Sequence, residues 1–137
     1  MPTSALPTVR DYMDTETHAL SAADDILVAV QHLIDEGVTD APVLDEGGRL
    51  AGMLSEYDCL RLLSKGHGGE HPRGLVREFM SQNVTTVPPT MDLYFVAGIF
   101  LAEPAQRRFI VMEGEQLVGV VTRKDVLRAV RAGLAKS

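Results

Sequence analysis

Two short stretches of the chain carry a hydroxyl and a carboxylate at the same spacing: Ser55-Glu56-Tyr57-Asp58 and Thr122-Arg123-Lys124-Asp125. Each follows an apolar run that opens on glycine, Gly52-Met53-Leu54 in one case and Gly119-Val120-Val121 in the other. A Ser or Thr that leaves a strand just before a helix can cap the N–H groups of the first turn. The same hydroxyl and N–H groups suit phosphate or other oxygen ligands. An Asp in that first turn is favoured by the helix dipole, and its carboxylate can accept two hydrogen bonds from a vicinal diol such as a ribose. The bland alternative is that the four residues only cap helices. No Ser–His–Asp order, Cys–His pair or glycine-rich phosphate loop leading into a helix accompanies them. No catalytic residue and no metal ligand is assigned, and no enzymatic activity is expected.

The elements that position these residues come in two copies. Val9-Arg10-Asp11-Tyr12-Met13 resembles Val76-Arg77-Glu78-Phe79-Met80, and an offset of 67 carries residues 9–66 onto 76–133 without a gap. Gly47, Leu50, Gly52 and Asp58 then fall on Gly114, Leu117, Gly119 and Asp125. Ile26, Ala29, Val30, Leu33 and Ile34 recur at helical spacing, with Asp24 to cap the start and Gly37 to end the helix. Leu93, Val96, Ala97, Phe100 and Leu101 repeat the pattern, stopped by Pro104. Hairpins are predicted from Ala41–Leu44 with Leu50–Leu54, and from Phe109–Met112 with Leu117–Val121, each across a turn rich in Gly and acidic residues. Second helices follow at Glu56–Ser64 and Arg123–Ala132.

The unit is an extended segment, helix, strand, strand, helix, an α+β arrangement. One copy cannot bury both faces of so small a sheet. The two are therefore expected to pack through their sheets about a pseudo-twofold axis. Residues 1–66 form the first repeat with 1–8 as a strap, 67–75 the linker, and 76–137 the second repeat.

The paired Gly–apolar–Ser/Thr-x-x-Asp stretches, 67 residues apart in matching surroundings, resemble the tandem cystathionine β-synthase (CBS) domain pair over about residues 9–133. The resemblance implies a regulatory module that binds an adenine compound (AMP, ADP, ATP or S-adenosylmethionine) between the copies, requires no cofactor, and signals to a separate protein partner. It also implies a homodimer, with Leu60, Leu63, Val126, Leu127 and Val130 as contacts. One cavity would combine Thr122 and Asp125 with Thr17, His18, Ala19, Pro42 and Val43. The other would combine Ser55 and Asp58 with Val84, Thr85, Thr86, Ile110 and Val111. The alternative is an interaction or dimerisation scaffold that binds no ligand.

The copies differ in charge. Arg107-Arg108 precede the second hairpin, where the gapless offset gives Asp40-Ala41 in the first copy. A phosphate gains charge-assisted hydrogen bonds from arginine and is repelled by Asp40. Arg123 and Lys124 add positive charge. The Thr122/Asp125 cavity, with Arg107 and Arg108, is thus expected to be the stronger site and Ser55/Asp58 the weaker.

Other features exclude more than they suggest. A net charge of −6 argues against nucleic-acid or anionic-membrane binding. The opening residues lack a basic segment followed by an apolar run, and a single cysteine, Cys59, suits a reducing compartment. A cytoplasmic location is expected. His67-Gly68-Gly69-Glu70-His71 has the lettering of a zinc-peptidase motif, but its glycines and Pro72 forbid the helix that chemistry needs. Cys59 aligns with Val126 and reads as buried. Met53, Met91 and Met112 read as core fillers, and Lys124, Arg128 and Arg131 as a solvated helix face. His18 is placed at a cavity mouth, where it could stack on a ligand.

Overall fold

The first long helix of each repeat begins where a carboxylate can satisfy its first N–H groups. In the computed structural model, which describes residues 6–65 and 73–135, helix α2 (Ile26–Glu36) is capped by Asp25, whose side chain accepts from Leu27 N at 2.8 Å. The expected cap, Asp24, instead accepts from Ser21 N at 3.3 Å, while its carbonyl accepts from Val76 N at 2.9 Å. Helix α4 (Leu93–Ala102) is capped by Asp92 through Phe95 N. Gly37 ends α2 in the left-handed region at φ 66°, where a side chain would be strained.

Contacts divide the chain into two compact units, Thr17–Val84 and Met1–Glu16 with Thr85–Ser137. They are called here the Ser55 unit and the Thr122 unit. In the Ser55 unit, β1 (Leu20–Ser21) runs parallel to β2 (Asp40–Leu44), which pairs antiparallel with β3 (Leu50–Ser55); α3 (Glu56–Lys65) follows. Ile26, Ala29, Leu33, Ala41, Val43, Leu54 and Leu62 fill its core, closed by Val76 and Phe79. The Thr122 unit repeats the plan with β4 (Thr86–Val87), β5 (Arg108–Glu113), β6 (Gln116–Thr122) and α5 (Arg123–Ala135), plus the short helix α1 (Val9–Tyr12). Its core is centred on Phe109, fully buried and stacked on Phe100 at 4.1 Å. Each sheet thus gains a third, parallel strand beyond the hairpin.

The gapless offset fails in one strand. Asp40 pairs with Ser55 across β2–β3, whereas Arg108 pairs with Thr122 across β5–β6. β2 and β5 therefore correspond at an offset of 68 residues, while Ser55 and Thr122 remain 67 apart. One extra residue before β5 is compensated by one fewer in the hairpin turn.

The leading segment of each repeat packs with the other repeat's sheet-bearing residues. Asp14 bridges Val120 in the Thr122 unit, and Ser81 bridges Met53 in the Ser55 unit. Pro7 and Thr8 also pair with Leu93 and Asp92.

Of the expected dimer contacts, Leu60, Leu127 and Val130 are exposed, but Val126 lies in the Thr122 core because it faces α4 and not solvent. Leu63's side chain, like His67 and His71, lies outside the described residues. No helix among the described residues is long and apolar enough to cross a membrane.

Candidate functional site

The two motifs fold into the same hydrogen-bonded turn. Where β3 runs into α3, Ser55 N and Oγ donate to Asp58 Oδ2 at 2.9 and 3.0 Å, and Asp58 N donates back to Ser55 Oγ at 3.2 Å. Where β6 runs into α5, Thr122 N and Oγ1 donate to Asp125 Oδ2 at 2.9 and 3.1 Å, and Asp125 N donates back at 3.3 Å. Ser/Thr at the cap and an acid three residues on satisfy each other's backbone donors, which is why the spacing recurs. Both aspartates are more than nine-tenths buried, at 8% and 7% exposure. One oxygen of each is committed to the cap.

The second oxygen differs between the copies. Asp125 Oδ1 accepts from Arg128 Nη1 at 3.1 Å, and that guanidinium also lies over the Tyr12 ring at 5.6 Å. Asp58 Oδ1 is 4.0 Å from Arg61 Nη1, beyond hydrogen-bonding distance. Arg128 therefore turns back onto the motif while its side chain stays 49% exposed on the solvated face. Arg123 is also diverted: it donates to the carbonyls of Pro104 and Gln106 at 2.6 and 3.0 Å and lies 5.9 Å from the Phe100 ring centre. Its exposed guanidinium braces the residues that follow α4.

The strand register sharpens the contrast at the motif itself. Arg108 stands directly across from Thr122, and the buried Asp40 directly across from Ser55. Arg107 has no such place: it is exposed, before the strand begins. A residue carrying a guanidinium thus pairs with the Thr122 turn and one carrying a carboxylate with the Ser55 turn.

The remaining residues fall as follows. Thr85, Thr86, Ile110 and Val111 share the Thr122 unit; Thr86 pairs with Ile110, and Thr85 Oγ1 donates to Glu103 Oε1 at 2.9 Å. Ile110 and Val111 are fully buried. Thr17, His18, Ala19, Pro42 and Val43 share the Ser55 unit, with Pro42 and Val43 buried on β2. His18 sits at φ 55° and turns its Nδ1 to Glu36 Oε2 at 3.5 Å.

A groove of about 550 Å³ runs between α2 and α3 of the Ser55 unit, lined by Val30, Ile34, Val38, Cys59 and Leu60 among others, but neither Ser55 nor Asp58 lines it. Burial, then the carboxylates of Asp58 and Glu56, push the Cys59 thiol up to about 11. At neutral pH it is a thiol and a poor nucleophile.

Paired α+β repeats, each ending a hairpin in a capped Ser/Thr-x-x-Asp turn, define a tandem-repeat α+β fold. The CBS domain family model matches residues 9–65 and 76–132, and the chain belongs to that family. CBS domain-containing protein YhcV of Bacillus subtilis is 30% identical over 122 residues, covering 88% of this chain and 84% of its own. An A-adding tRNA nucleotidyltransferase of Aquifex aeolicus is 30% identical over 128 residues, 93% of this chain but only 15% of that protein's length. Among solved structures, CBSX2 in complex with AMP superposes with a TM-score of 0.79 at 28% identity, covering 93% of this chain and 98% of that one.

Proposed function

We infer that the chain is a regulatory sensor of an adenine compound, with AMP, ADP, ATP and S-adenosylmethionine as the ligand set, and that it signals to a separate protein. The observation that carries this is the pair of buried, capped aspartates. Each has one oxygen outside its cap, Asp125's already accepting from Arg128, and each stands at a helix start where backbone N–H groups favour an oxyanion. The AMP complex of the 28%-identical CBSX2 supports the ligand class. Thr122, Asp125 and Arg108 are the residues assigned to ribose and phosphate; Ser55 and Asp58 form the weaker counterpart. The module is read as non-catalytic, and turnover of a nucleotide by the purified protein would overturn that.

Thermal unfolding with millimolar AMP, ADP, ATP, adenosine or S-adenosylmethionine tests the reading. A ligand present at 100 times its Kd stabilises by about 2.7 kcal/mol, which for a domain of this size raises Tm by about 5–10 °C. A flat response to all five leaves the second reading, a ligand-free scaffold. The Arg128 contact on Asp125 favours that reading, since it already occupies the oxygen a diol would need.

Self-association through the second helices is part of the proposal. Leu127 and Leu60 are 66% and 61% exposed on α5 and α3, and burying such side chains is worth about 1.5–3 kcal/mol each. Light scattering is expected to give a dimer for the natural sequence and a monomer for Leu127→Glu. A natural-sequence monomer would remove this part of the proposal.

A further inference from the structure

We propose that His18, His32 and Glu36 form a binding site for a divalent transition-metal ion of the Zn²⁺ class. A ligand nitrogen of each histidine and a carboxylate oxygen of Glu36 all lie within 4.8 Å of one another. His32 and Glu36 are four residues apart on α2 and so project from one face of that helix. His18 reaches them from the segment before β1, with Nδ1 already 3.5 Å from Glu36 Oε2 and its ring tilted 59° to that of His32 at 6.4 Å. The two imidazoles are therefore not stacked.

Two independent features say that this is more than an ion pair. His32 Nε2 is buried with no hydrogen-bond partner among the described residues, and buried polar atoms are nearly always satisfied. His18 holds φ at 55°, the one non-glycine residue in the left-handed region among those described. Such conformations persist where the surroundings impose them and gather at functional sites. Two imidazole nitrogens and a carboxylate oxygen suit Zn²⁺, Co²⁺, Ni²⁺ or Cu²⁺ better than Mg²⁺ or Ca²⁺, which prefer oxygen alone. Tetrahedral Zn²⁺ with bonds of about 2.0–2.1 Å holds neighbouring ligand atoms about 3.3–3.5 Å apart. The His18–Glu36 separation already meets this. His32 has to close by about 1.5 Å at most, and the fourth position remains open to water or to an anionic group.

The test is titration of the purified full chain with Zn²⁺ by calorimetry, and with Co²⁺ by its visible four-coordinate bands. One equivalent is expected to bind. Loss of an outer-shell partner alone weakens metal sites about 10–100-fold, so His32→Ala and Glu36→Gln, which remove direct ligands, are each expected to weaken binding at least tenfold. Glu36 is exposed at the end of α2, so Glu36→Gln decides the question even where His32→Ala disturbs folding. The double variant His67→Ala/His71→Ala, which removes the other two histidines of the chain, is expected to bind as the natural sequence does. No binding by the natural sequence overturns the proposal. So does binding that survives Glu36→Gln, or binding lost with His67 and His71. No nucleotide enters the assay, so its failure would leave the sensor reading untouched.

Discussion

Gly52→Ala is expected to destabilise the protein by about 3–5 kcal/mol, seen in urea unfolding as a large fall in midpoint and in calorimetry as a Tm lower by about 10–15 °C. A Cβ at this position would stand 2.5 Å from the carbonyl oxygen of Ser81 and 2.9 Å from Met80 Sδ. The sulfur can swing aside, but the carbonyl cannot, because it accepts from Met53 N at 2.9 Å while Ser81 N donates to Met53 O at 2.8 Å. Relieving the clash breaks that two-bond bridge in the interior, and both effects destabilise. Gly119→Ala is a milder copy: its Cβ would meet Met13 Sδ at 2.8 Å and the Asp14 carbonyl at 2.9 Å. Gly98→Ala is the control with opposite sign. Nothing lies within 4 Å of its Cβ and it sits on the exposed side of α4, so removing a helix glycine there is expected to stabilise by about 0.5–1 kcal/mol. Equal effects at Gly52 and Gly98 would show that the crossing segment does not press on β3.

The glycine of the motif thus has a mechanical cause that the letters alone do not reveal. Val9–Met13 and Val76–Met80 are visibly similar in sequence, but nothing in their local pattern says that each crosses a glycine in the other repeat. Where local patterning decides the structure, the sequence was a sufficient guide. The apolar period of α2 and α4, the hairpin turns and the helix starts at Glu56 and Arg123 all stand where periodicity and turn residues put them.

The one-residue slip of β5 was hidden because its insertion and deletion cancel within a few residues, so the flanking glycines and aspartates still align. Asp24 and Asp25 offer the same side chain one position apart, and only the backbone turn selects Asp25. Arg123 reads as charge beside a cavity and Arg128 as part of a solvated face; both are exposed, and spacing does not reveal the carbonyls and carboxylate they contact. His18, His32 and Glu36 belong to no sequence motif: a left-handed residue and a helix face bring together side chains that spacing does not connect. What the sequence hid is, in each case, set by tertiary approach.

Asp125→Ala is expected to lower AMP affinity by about 10–150-fold, while Asp58→Ala changes it by less than about threefold. The first range corresponds to about 1.5–3 kcal/mol for hydrogen bonds to a charged acceptor. Neither substitution alone separates ligand chemistry from folding, because each removes the acceptor for two motif donors and a cap worth about 1–2 kcal/mol. The match between the turns supplies the control. Ser55 and Thr122 donate to their aspartates at 2.9 Å from the backbone and at 3.0 and 3.1 Å from the hydroxyls, and both aspartates are buried alike. The two variants therefore lose the same cap, and Asp125→Ala, which also loses the Arg128 contact, is expected to cost more stability without ligand. A difference between them in AMP affinity, read as calorimetric Kd on protein shown to be folded, then reports binding alone. Its physical source is the cross-strand neighbour, Arg108 beside Thr122 against Asp40 beside Ser55. Adenosine, which lacks the phosphate, is expected to discriminate less between the variants than AMP. If Asp58→Ala abolishes AMP binding and Asp125→Ala spares it, the ranking of the two turns is reversed, and the Arg128 contact on Asp125 becomes a closed structural cap that excludes the diol.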